Sequence, residues 1–333
     1  MGPNGNGWED ALMFGGDRAK IKKILPIVGL FVFVVMAGLG YTLDTFSVQV
    51  LTEALIMSLF AMSFALLYGH TGLLSFGQGA YFACGAYGFA LALTRLQMPF
   101  ILCIFIGIFM ACVWSWVMGY LCVRLSGIYF AIMTVVVAQC TFYILFQWYS
   151  VTGGDNGIQG LLPPGFLQNA RHYYLFVLFV VAFIFIAFHT IVNSPFGLSL
   201  KCIRENTVRS TFIGIKARNH MHKAFIISGL LAGLAGILFC IHTRHVVPQM
   251  ANWQNSGNAV FMGILGGASS VLGPFLGALI WVLLDAFISG YTERWPLVIG
   301  FILFFITFFA PGGLMGIIKY YFMRKTKRMV TET

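Results

Sequence analysis

The stretch Tyr68-GHTGLLSFGQGAYFAC-Gly85 lies where two apolar runs meet, one near 46–68 and one near 73–94. Its glycines are residues 69, 72, 77, 79 and 85. Glycine holds a helix poorly and allows backbones to approach closely, so the stretch predicts a helix break or a tight crossing of helices. An unwound segment at membrane depth exposes amides and carbonyls that can hold a polar solute. Plain packing of small residues is the alternative interpretation.

The composition indicates a chain whose solvent is the lipid bilayer. Hydrophobic residues make up 59% of the 333 residues, charged residues make up 9%, and the mean hydropathy is +0.87. A soluble domain of this length needs far more charge to cover its surface. The net charge of +10 would suggest nucleic acid in a soluble protein, but here Lys and Arg are expected to mark cytoplasmic loops. No nucleic-acid partner is predicted.

The apolar runs predict an all-α, polytopic integral membrane protein with about ten transmembrane spans, some of them broken or re-entrant. The runs lie near 24–43, 46–68, 73–94, 99–123, 127–147, 173–192, 224–243 and 295–310, and the region 257–290 is expected to cross twice. Within that region, the stretch from Gly266 to Pro274 predicts a turn followed by a helix start. At least one of its two crossings must be short.

The charge distribution sets the predicted orientation. With two crossings in 257–290, both termini are cytoplasmic, and only Arg95, Arg171, Arg244 and Arg294 of the 20 Lys and Arg residues lie outside. This partition satisfies the positive-inside rule, whereas a single crossing would place the basic C-terminus outside.

The predicted organisation has one large domain between two tails. Residues 1–23 form a cytoplasmic N-terminal tail, 24–323 form the transmembrane domain, and 324–333 form a cytoplasmic C-terminal tail. The domain includes a cytoplasmic loop over 194–222 and an outside loop over 148–171 that is rich in Gly and Pro.

The stretch Ser194-PFGLSLKCIRENTVRSTFIG-Ile215 is a polar, basic island in the apolar chain. Ser194 followed by Pro195 predicts a helix N-cap with proline at the first helical position. Arg204, Glu205 and Arg209 are expected near one side of a short helix that lies across the membrane surface and docks in a cytoplasmic partner. A loop whose charges only fix the topology is the alternative interpretation.

Two further features lie in and after the run 127–147. Thr134 and Gln139 are polar residues inside this apolar run, where hydrogen bonding between helices is their usual role. Beyond its outer end, Thr152-Gly-Gly-Asp-Asn-Gly157 predicts a rigid polar turn. This turn is either a solvated hairpin or a docking surface for an external solute-binding protein.

Catalytic and metal-binding chemistry are not expected. The chain contains no Gly-x-x-x-x-Gly-Lys-[Ser/Thr] P-loop, so it is not expected to hydrolyse ATP by that route. The seven cysteines and seven histidines are scattered and include no Cys-x-x-Cys pair. A proton-coupled carrier would need a central carboxylate, whereas Glu53 and Asp285 fall toward the outer ends of their predicted spans.

Several of these motifs resemble, in the same order, those of the permeases of branched-chain amino acid ABC importers. The resemblance includes the stretch 68–85, the turn 152–157, the island 194–215 and the closing segments 263–278 and 309–316. It covers most of residues 50–320 and fits the larger of the family's two permease types.

This chain departs from the family pattern at three positions. His70 and Gln78 stand where the family more often has Tyr and His, and Cys202 stands where it more often has Ala.

The resemblance implies a multi-pass permease subunit in the cytoplasmic (inner) membrane that moves branched-chain or other hydrophobic amino acids. It also implies a second homologous permease subunit, two cytoplasmic ATPase subunits that bind ATP and Mg, and an extracytoplasmic solute-binding protein. This chain would hold no cofactor and would not be an enzyme. A urea or short-amide importer and an ion-coupled secondary transporter stay open as alternatives.

The resemblance and the motifs together assign three groups of residues. Contact with the ATPase subunits is expected from Ser194, Phe196, Gly197, Arg204, Glu205, Asn206 and Arg209. The solute path is expected along Gly72, Ser75, Gly77, Gln78, Tyr81, Gly85 and Thr134. Docking of the binding protein is expected at Gly153, Gly154, Asp155, Asn156 and Gly157. No catalytic or metal-binding residue is predicted.

Overall fold

The computed structural model describes residues 40–291 without a break, together with 36, 38, 294, 297, 298, 300–302, 304 and 312–316. The predicted tails 1–23 and 324–333 lie outside the described residues. So do most of the predicted spans near 24–43 and 295–310.

The described part of the chain is almost entirely helical. Its main helices are α1 (Thr45–Thr71), α2 (Gln78–Thr94), α3 (Phe100–Cys122), α4 (Ile128–Gln147), α5 (Ala170–Asn193), α6 (Pro195–Glu205), α7 (Thr207–Phe212), α8 (Ala217–Thr243), α9 (Trp253–Gly266) and α10 (Gly273–Ile288). Shorter pieces are the one-turn helix Tyr149–Thr152 and the 3-10 turns Gly154–Asn156, Gly165–Leu167 and Pro248–Ala251. Two short strands, β1 (Ile158–Gln159) and β2 (His245–Val246), pair antiparallel.

Five of these helices, α1, α3, α4, α5 and α8, are long and apolar enough to cross a membrane, and α10 is a shorter apolar helix. This confirms an all-α, multi-pass membrane protein. The number of spans and the side on which each terminus lies stay predictions.

Helices α1 and α8 form the interior of the bundle, and α3, α4 and α5 lie at its periphery. Of the 18 most apolar consecutive residues in each helix, 78% are buried in α1 and 72% in α8, against 22–28% in α3, α4 and α5. The outer faces of α3, α4 and α5 expose large apolar side chains, such as Phe105, Tyr143 and Phe183. Such faces are suited to lipid or to another apolar protein surface.

Helix α2 is embedded between α3 and α8 by close backbone approach. A Cβ added at Gly85 would lie 2.7 Å from Cα of Gly233 in α8, and one added at Gly88 would lie 3.0 Å from Cα of Gly107 in α3. Small residues at such crossings let dispersion contacts form along the whole helix pair.

Two helices begin several residues away from the predicted starts of their spans. The span near 73–94 begins as a helix only at Gln78, because residues 72–77 are not helical. The span near 224–243 begins at Ala217, so the predicted loop 194–222 is mostly helical. In this second case the polar residues 217–223 continue the helix of the apolar run, and hydropathy alone does not mark a boundary there.

The region 257–290 folds as a helical hairpin. The rings of Phe261 in α9 and Trp281 in α10 stack at 5.7 Å, and Gly266 abuts Gly273 at the turn, so the two helices run antiparallel. Proline stands in the first turn of α10, as the sequence predicts. With 14 and 16 residues, both helices are short. The sequence predicts that at least one of the two segments is short, and both are; full crossing by each stays a prediction.

Candidate functional site

The break between α1 and α2 begins at Gly72. This glycine has a φ of +76°, and its N–H donates to the carbonyl of Tyr68 at 3.2 Å. The next N–H, that of Leu73, donates to the carbonyl of Leu67 at 3.3 Å. This pattern is a Schellman ending, which requires a left-handed residue that glycine supplies without strain. The helix therefore stops at Gly72 for a local reason that the sequence carries.

The non-helical residues 72–77, here called the break, are held by one side chain of their own and by one from α4. Thr134 Oγ1 in α4 accepts a hydrogen bond from the N–H of Phe76 at 3.0 Å, and Ser75 Oγ accepts from the N–H of Gly77 at 3.2 Å. Thr134 lies roughly 10 Å along α4 from its start. The break thus lies at depth in the helix bundle, where backbone groups need protein partners.

The start of α2 meets the start of α9. Ser256 Oγ accepts a hydrogen bond from the N–H of Gly79 at 2.9 Å. A Cβ at Gly79 would lie 3.0 Å from the carbonyl oxygen of Asn252 and 3.1 Å from that of Met250. Two helix N-termini therefore converge on the break, and each brings the positive end of its peptide dipoles.

Several buried polar atoms at this junction have no hydrogen-bond partner among the described residues. They are both amide atoms of Gln78, the hydroxyl of Tyr81 and Oδ1 of Asn252. Gln78 and Tyr81 are both 0% exposed. Each buried group left unpaired costs about 1–3 kcal/mol, so such a concentration is unfavourable for folding alone. Unpaired buried groups in one place are typical of a site that a ligand or water completes.

The structure divides the seven residues predicted for the solute path into two sets. Ser75, Gly77, Gln78, Tyr81 and Thr134 lie together: a Cβ at Gly77 would be 3.2 Å from Tyr81 Oη, 3.6 Å from Ser75 Oγ and 3.6 Å from Cβ of Thr134.

The other two predicted path residues, Gly72 and Gly85, do not join this cluster. Gly72 is exposed beside the stem of Arg204, and Gly85 packs on α8 two turns farther along α2.

Sequence reasoning missed Ser256 and Asn252, which complete the junction from the other side. The signal that could have indicated them is the polar run Asn252-Trp-Gln-Asn-Ser256 between two apolar runs. Nothing in that run, however, indicates which distant segment it contacts.

The island 194–215, here called the surface segment, folds as two helices. Ser194 Oγ accepts from the N–H of Gly197 at 3.3 Å, with Pro195 at the first helical position of α6, as predicted. Asn206 has an extended backbone and its Oδ1 accepts from the N–H of Arg209 at 2.8 Å, which starts α7. The single short helix predicted here is therefore wrong, because Asn206 acts as a second N-cap.

The surface segment exposes apolar side chains next to charged ones. Leu200 and Ile203 are buried against the bundle. The exposed apolar side chains are Leu198, Val208, Phe212 and Ile213, of which Phe212 is 86% exposed. Glu205 and Arg209 are also exposed. An exposed cluster of this kind marks an interaction surface more often than a solvated loop.

The residues predicted to contact the ATPases differ in what they contact within this chain. Ser194 caps α6, Gly197 abuts the backbone of Val192, and the ring of Phe196 stacks on His220 at 5.8 Å. Glu205, Asn206 and Arg209 are exposed.

Arg204 makes a contact that connects the surface segment to the break. Its Nη1 donates to the carbonyl of Gly69 in the last turn of α1, and its Cγ would lie 3.1 Å from a Cβ at Gly72. The arginine thus satisfies one of the free carbonyls at the end of α1.

The turn 152–157 is tied by hydrogen bonds to two other parts of the chain. Thr152 Oγ1 donates to the carbonyl of Leu145 at 2.6 Å, and Asp155 Oδ1 accepts from Gln249 Nε2 at 2.8 Å. Gly153, Gly154 and Gly157 all have positive φ, whereas Asp155 and Asn156 are exposed. Strand β1 follows the turn and joins it to β2, so the polar tip has a fixed position.

Among the described residues, no group of three or more His, Cys, Asp or Glu side chains could hold a metal ion.

Apolar helices packed around a helix break with buried, unpaired polar groups are typical of membrane transport proteins. The sequence pattern of the family described as "Branched-chain amino acid transport system / permease component" matches residues 46–308. The chain belongs to this family.

Named relatives agree with this assignment. The high-affinity branched-chain amino acid transport system permease protein LivM of Escherichia coli (strain K12) is 26% identical over 90% of this chain and 76% of its own length. The corresponding protein BraD of Pseudomonas aeruginosa is 23% identical over 80% of this chain and 93% of its own length. LivH of Salmonella typhimurium is 23% identical over 78% of this chain and 91% of its own length. No solved structure matches the chain.

Proposed function

We propose that this chain is a permease subunit of an ATP-driven importer of branched-chain amino acids in the inner membrane. The relatives named above are permease proteins of branched-chain amino acid transport systems, which supports this substrate class. The observation that carries the proposal is the junction at the break, where Gln78 and Tyr81 keep unpaired polar atoms buried inside the helix bundle.

The solute passes the break. An amino acid carries a carboxylate, which the converging N-termini of α2 and α9 attract. Its ammonium group donates hydrogen bonds to carbonyl and amide oxygens. The apolar side chain needs a dry, apolar wall, and the neighbouring rings of Tyr81 and Phe225, 5.6 Å apart, supply one. Unpaired groups in a closed junction are ready to bind solute when the junction opens.

The surface segment receives the motion of the ATPases. Two cytoplasmic ATPase subunits bind ATP and Mg, and the exposed face with Phe212 and Arg209 docks on one of them. Movement of α6 reaches the end of α1 through Arg204 and its bond to Gly69. A shift of this helix end displaces the break, which couples nucleotide state to the solute route.

The remaining partners follow from the same proposal. A second, homologous permease completes the transmembrane pathway, and an extracytoplasmic binding protein docks on the rigid tip at Asp155 and Asn156. About ten spans with both termini cytoplasmic place the surface segment inside and this tip outside.

Uptake into proteoliposomes tests the proposal. The complete transporter is reconstituted so that the ATPase subunits face the vesicle interior, which contains ATP and Mg. Labelled leucine or urea is added outside together with the binding protein. The expected result is leucine uptake that requires ATP and is unchanged when proton and sodium gradients are collapsed. Uptake of urea in place of leucine, or uptake driven by an ion gradient without ATP, would contradict the proposal.

A further inference from the structure

A cavity of about 270 Å³ opens between the end of α3 and the start of α8. It lies on the same side of the molecule as the surface segment, because α7 leads directly into α8. Its lining residues are Gly119, Tyr120, Val123, Arg124, Arg218, Asn219 and His222. The path past the break and the surface segment do not use these residues.

The cavity is built for a negative group. Arg124 and Arg218 line it, and neither Asp nor Glu does. Arg124 lies over the ring of Tyr120, with Cζ 4.2 Å from the ring centroid. This stacking holds the guanidinium plane in place while its edge N–H groups stay available for an anion.

The back wall of the cavity is fixed by packing and hydrogen bonding. His222 Nε2 lies 3.0 Å from the carbonyl oxygen of Trp116, so this nitrogen carries a proton and the ring is oriented. A Cβ at Gly119 would lie 2.9 Å from both the His222 and the Phe225 rings. Gly119 therefore lets α3 and α8 pack closely at this wall, where any side chain would collide with both rings.

An exposed apolar stripe on α3 leads to the cavity. Its side chains lie three or four residues apart on one face of the helix and are Phe105, Phe109, Val113, Trp116 and Tyr120. The stripe runs along the membrane-spanning length of α3 and ends beside Arg124. Such a surface fits the acyl chain of a lipid whose headgroup occupies the cavity.

We propose that this cavity binds the phosphate group of an anionic phospholipid, with an acyl chain along the α3 stripe. The shared chemistry is a phosphate held by two arginines, and the stripe favours a lipid over free phosphate. Arginines that only fix the topology would face water singly, whereas these two line one concavity together with Tyr120. The inference goes beyond the transport function and does not depend on the identity of the solute.

Native mass spectrometry of the full chain, purified in detergent, tests the site. The probes are phosphatidylglycerol, phosphatidylcholine of the same acyl length, and inorganic phosphate. The expected result is binding of phosphatidylglycerol at least roughly tenfold tighter than of phosphatidylcholine, since the two arginines attract a headgroup of net negative charge more strongly than a zwitterionic one. Equal binding of the two lipids would overturn the proposal. So would inorganic phosphate that displaces phosphatidylglycerol at equal concentration, because the site would then recognise only the anion.

Variants locate the site. The double variant Arg124→Gln/Arg218→Gln should lose the preference for phosphatidylglycerol, whereas Arg124→Lys/Arg218→Lys should keep most of it. Lys223→Gln is the matched control for Arg124→Gln alone, since it removes one charge from an exposed position of α8 that does not line the cavity. An unchanged preference in the double glutamine variant, or an equal loss in the control, would overturn the assignment.

Discussion

At the break, polar side chains are buried and part of their hydrogen-bonding capacity is unused, whereas in the surface segment polar groups are satisfied and apolar side chains are exposed. Gln78 is completely buried with both amide atoms unpaired, and Phe212 is 86% exposed. Each region therefore carries the kind of group that its surroundings disfavour.

This difference indicates two kinds of missing partner. Under the proposed function, a small polar solute would pair the buried polar atoms, and a protein surface would cover the exposed apolar groups on the capped helix pair. Arg204 joins the two regions through Gly69. The comparison therefore predicts that damage to one region alters transport of the solute, and damage to the other alters the use of ATP.

The largest expected effect concerns Gly85, where α2 packs against α8 outside the break. Gly85→Ala should lower the free energy of unfolding by about 3 kcal/mol, because its Cβ would overlap the α8 backbone at Gly233 and force α2 and α8 apart. The measurement is the thermal unfolding midpoint in detergent. Gly165→Ala is the control, since nothing lies within 4 Å of its Cβ position. Equal midpoints for the two variants would show that Gly85 is not a packing position.

The next effect concerns the surface segment. Arg209→Ala should reduce ATP hydrolysis stimulated by the loaded binding protein by roughly tenfold, since a charge-assisted hydrogen bond across an interface is worth about 1.5–3 kcal/mol. Arg171→Ala is the control, because it removes an exposed arginine from the side predicted to lie outside. Unchanged stimulation in the Arg209 variant, with normal membrane insertion, would remove this residue from the coupling surface.

The smallest expected effect is on the free energy of unfolding, and it compares the unpaired polar atoms of Gln78 with the hydrogen-bonded hydroxyl of Ser256. Gln78→Met removes two unpaired buried atoms at similar volume, so the free energy of unfolding should rise by about 1 kcal/mol while leucine uptake falls. Ser256→Ala is the contrasting variant. It leaves the N–H of Gly79 without its acceptor and should lower the free energy of unfolding by about 1–3 kcal/mol. Loss of stability in both variants would make Gln78 a structural residue.

The features that sequence predicts correctly are those with local causes. Gly72 ends α1, Ser194 with Pro195 starts α6, and a proline starts α10, each through backbone chemistry within a few residues. The ten-span topology and the roles of the site residues stay predictions.

The features that sequence misses depend on distant contacts. Ser256 bonds a residue 177 positions away, and Arg204 bonds one 135 positions away, so neither contact has a signal in its own neighbourhood. The helix boundary at Asn206 is missed for a different reason. Its capping bond is local, but the surrounding periodicity suggests one continuous helix.

The most direct test of the account is the ratio of leucine transported to ATP hydrolysed, measured in the same proteoliposomes for Gln78→Met and Phe212→Asp. The account predicts that Gln78→Met keeps most of the stimulated ATP hydrolysis and lowers the ratio, because the ATPase contact is intact and the solute route is damaged. Phe212→Asp should lower uptake and hydrolysis together and leave the ratio near that of the unaltered protein. The reverse pattern, or the same change of ratio in both variants, would contradict the division between a solute route at the break and an ATPase contact at the surface segment.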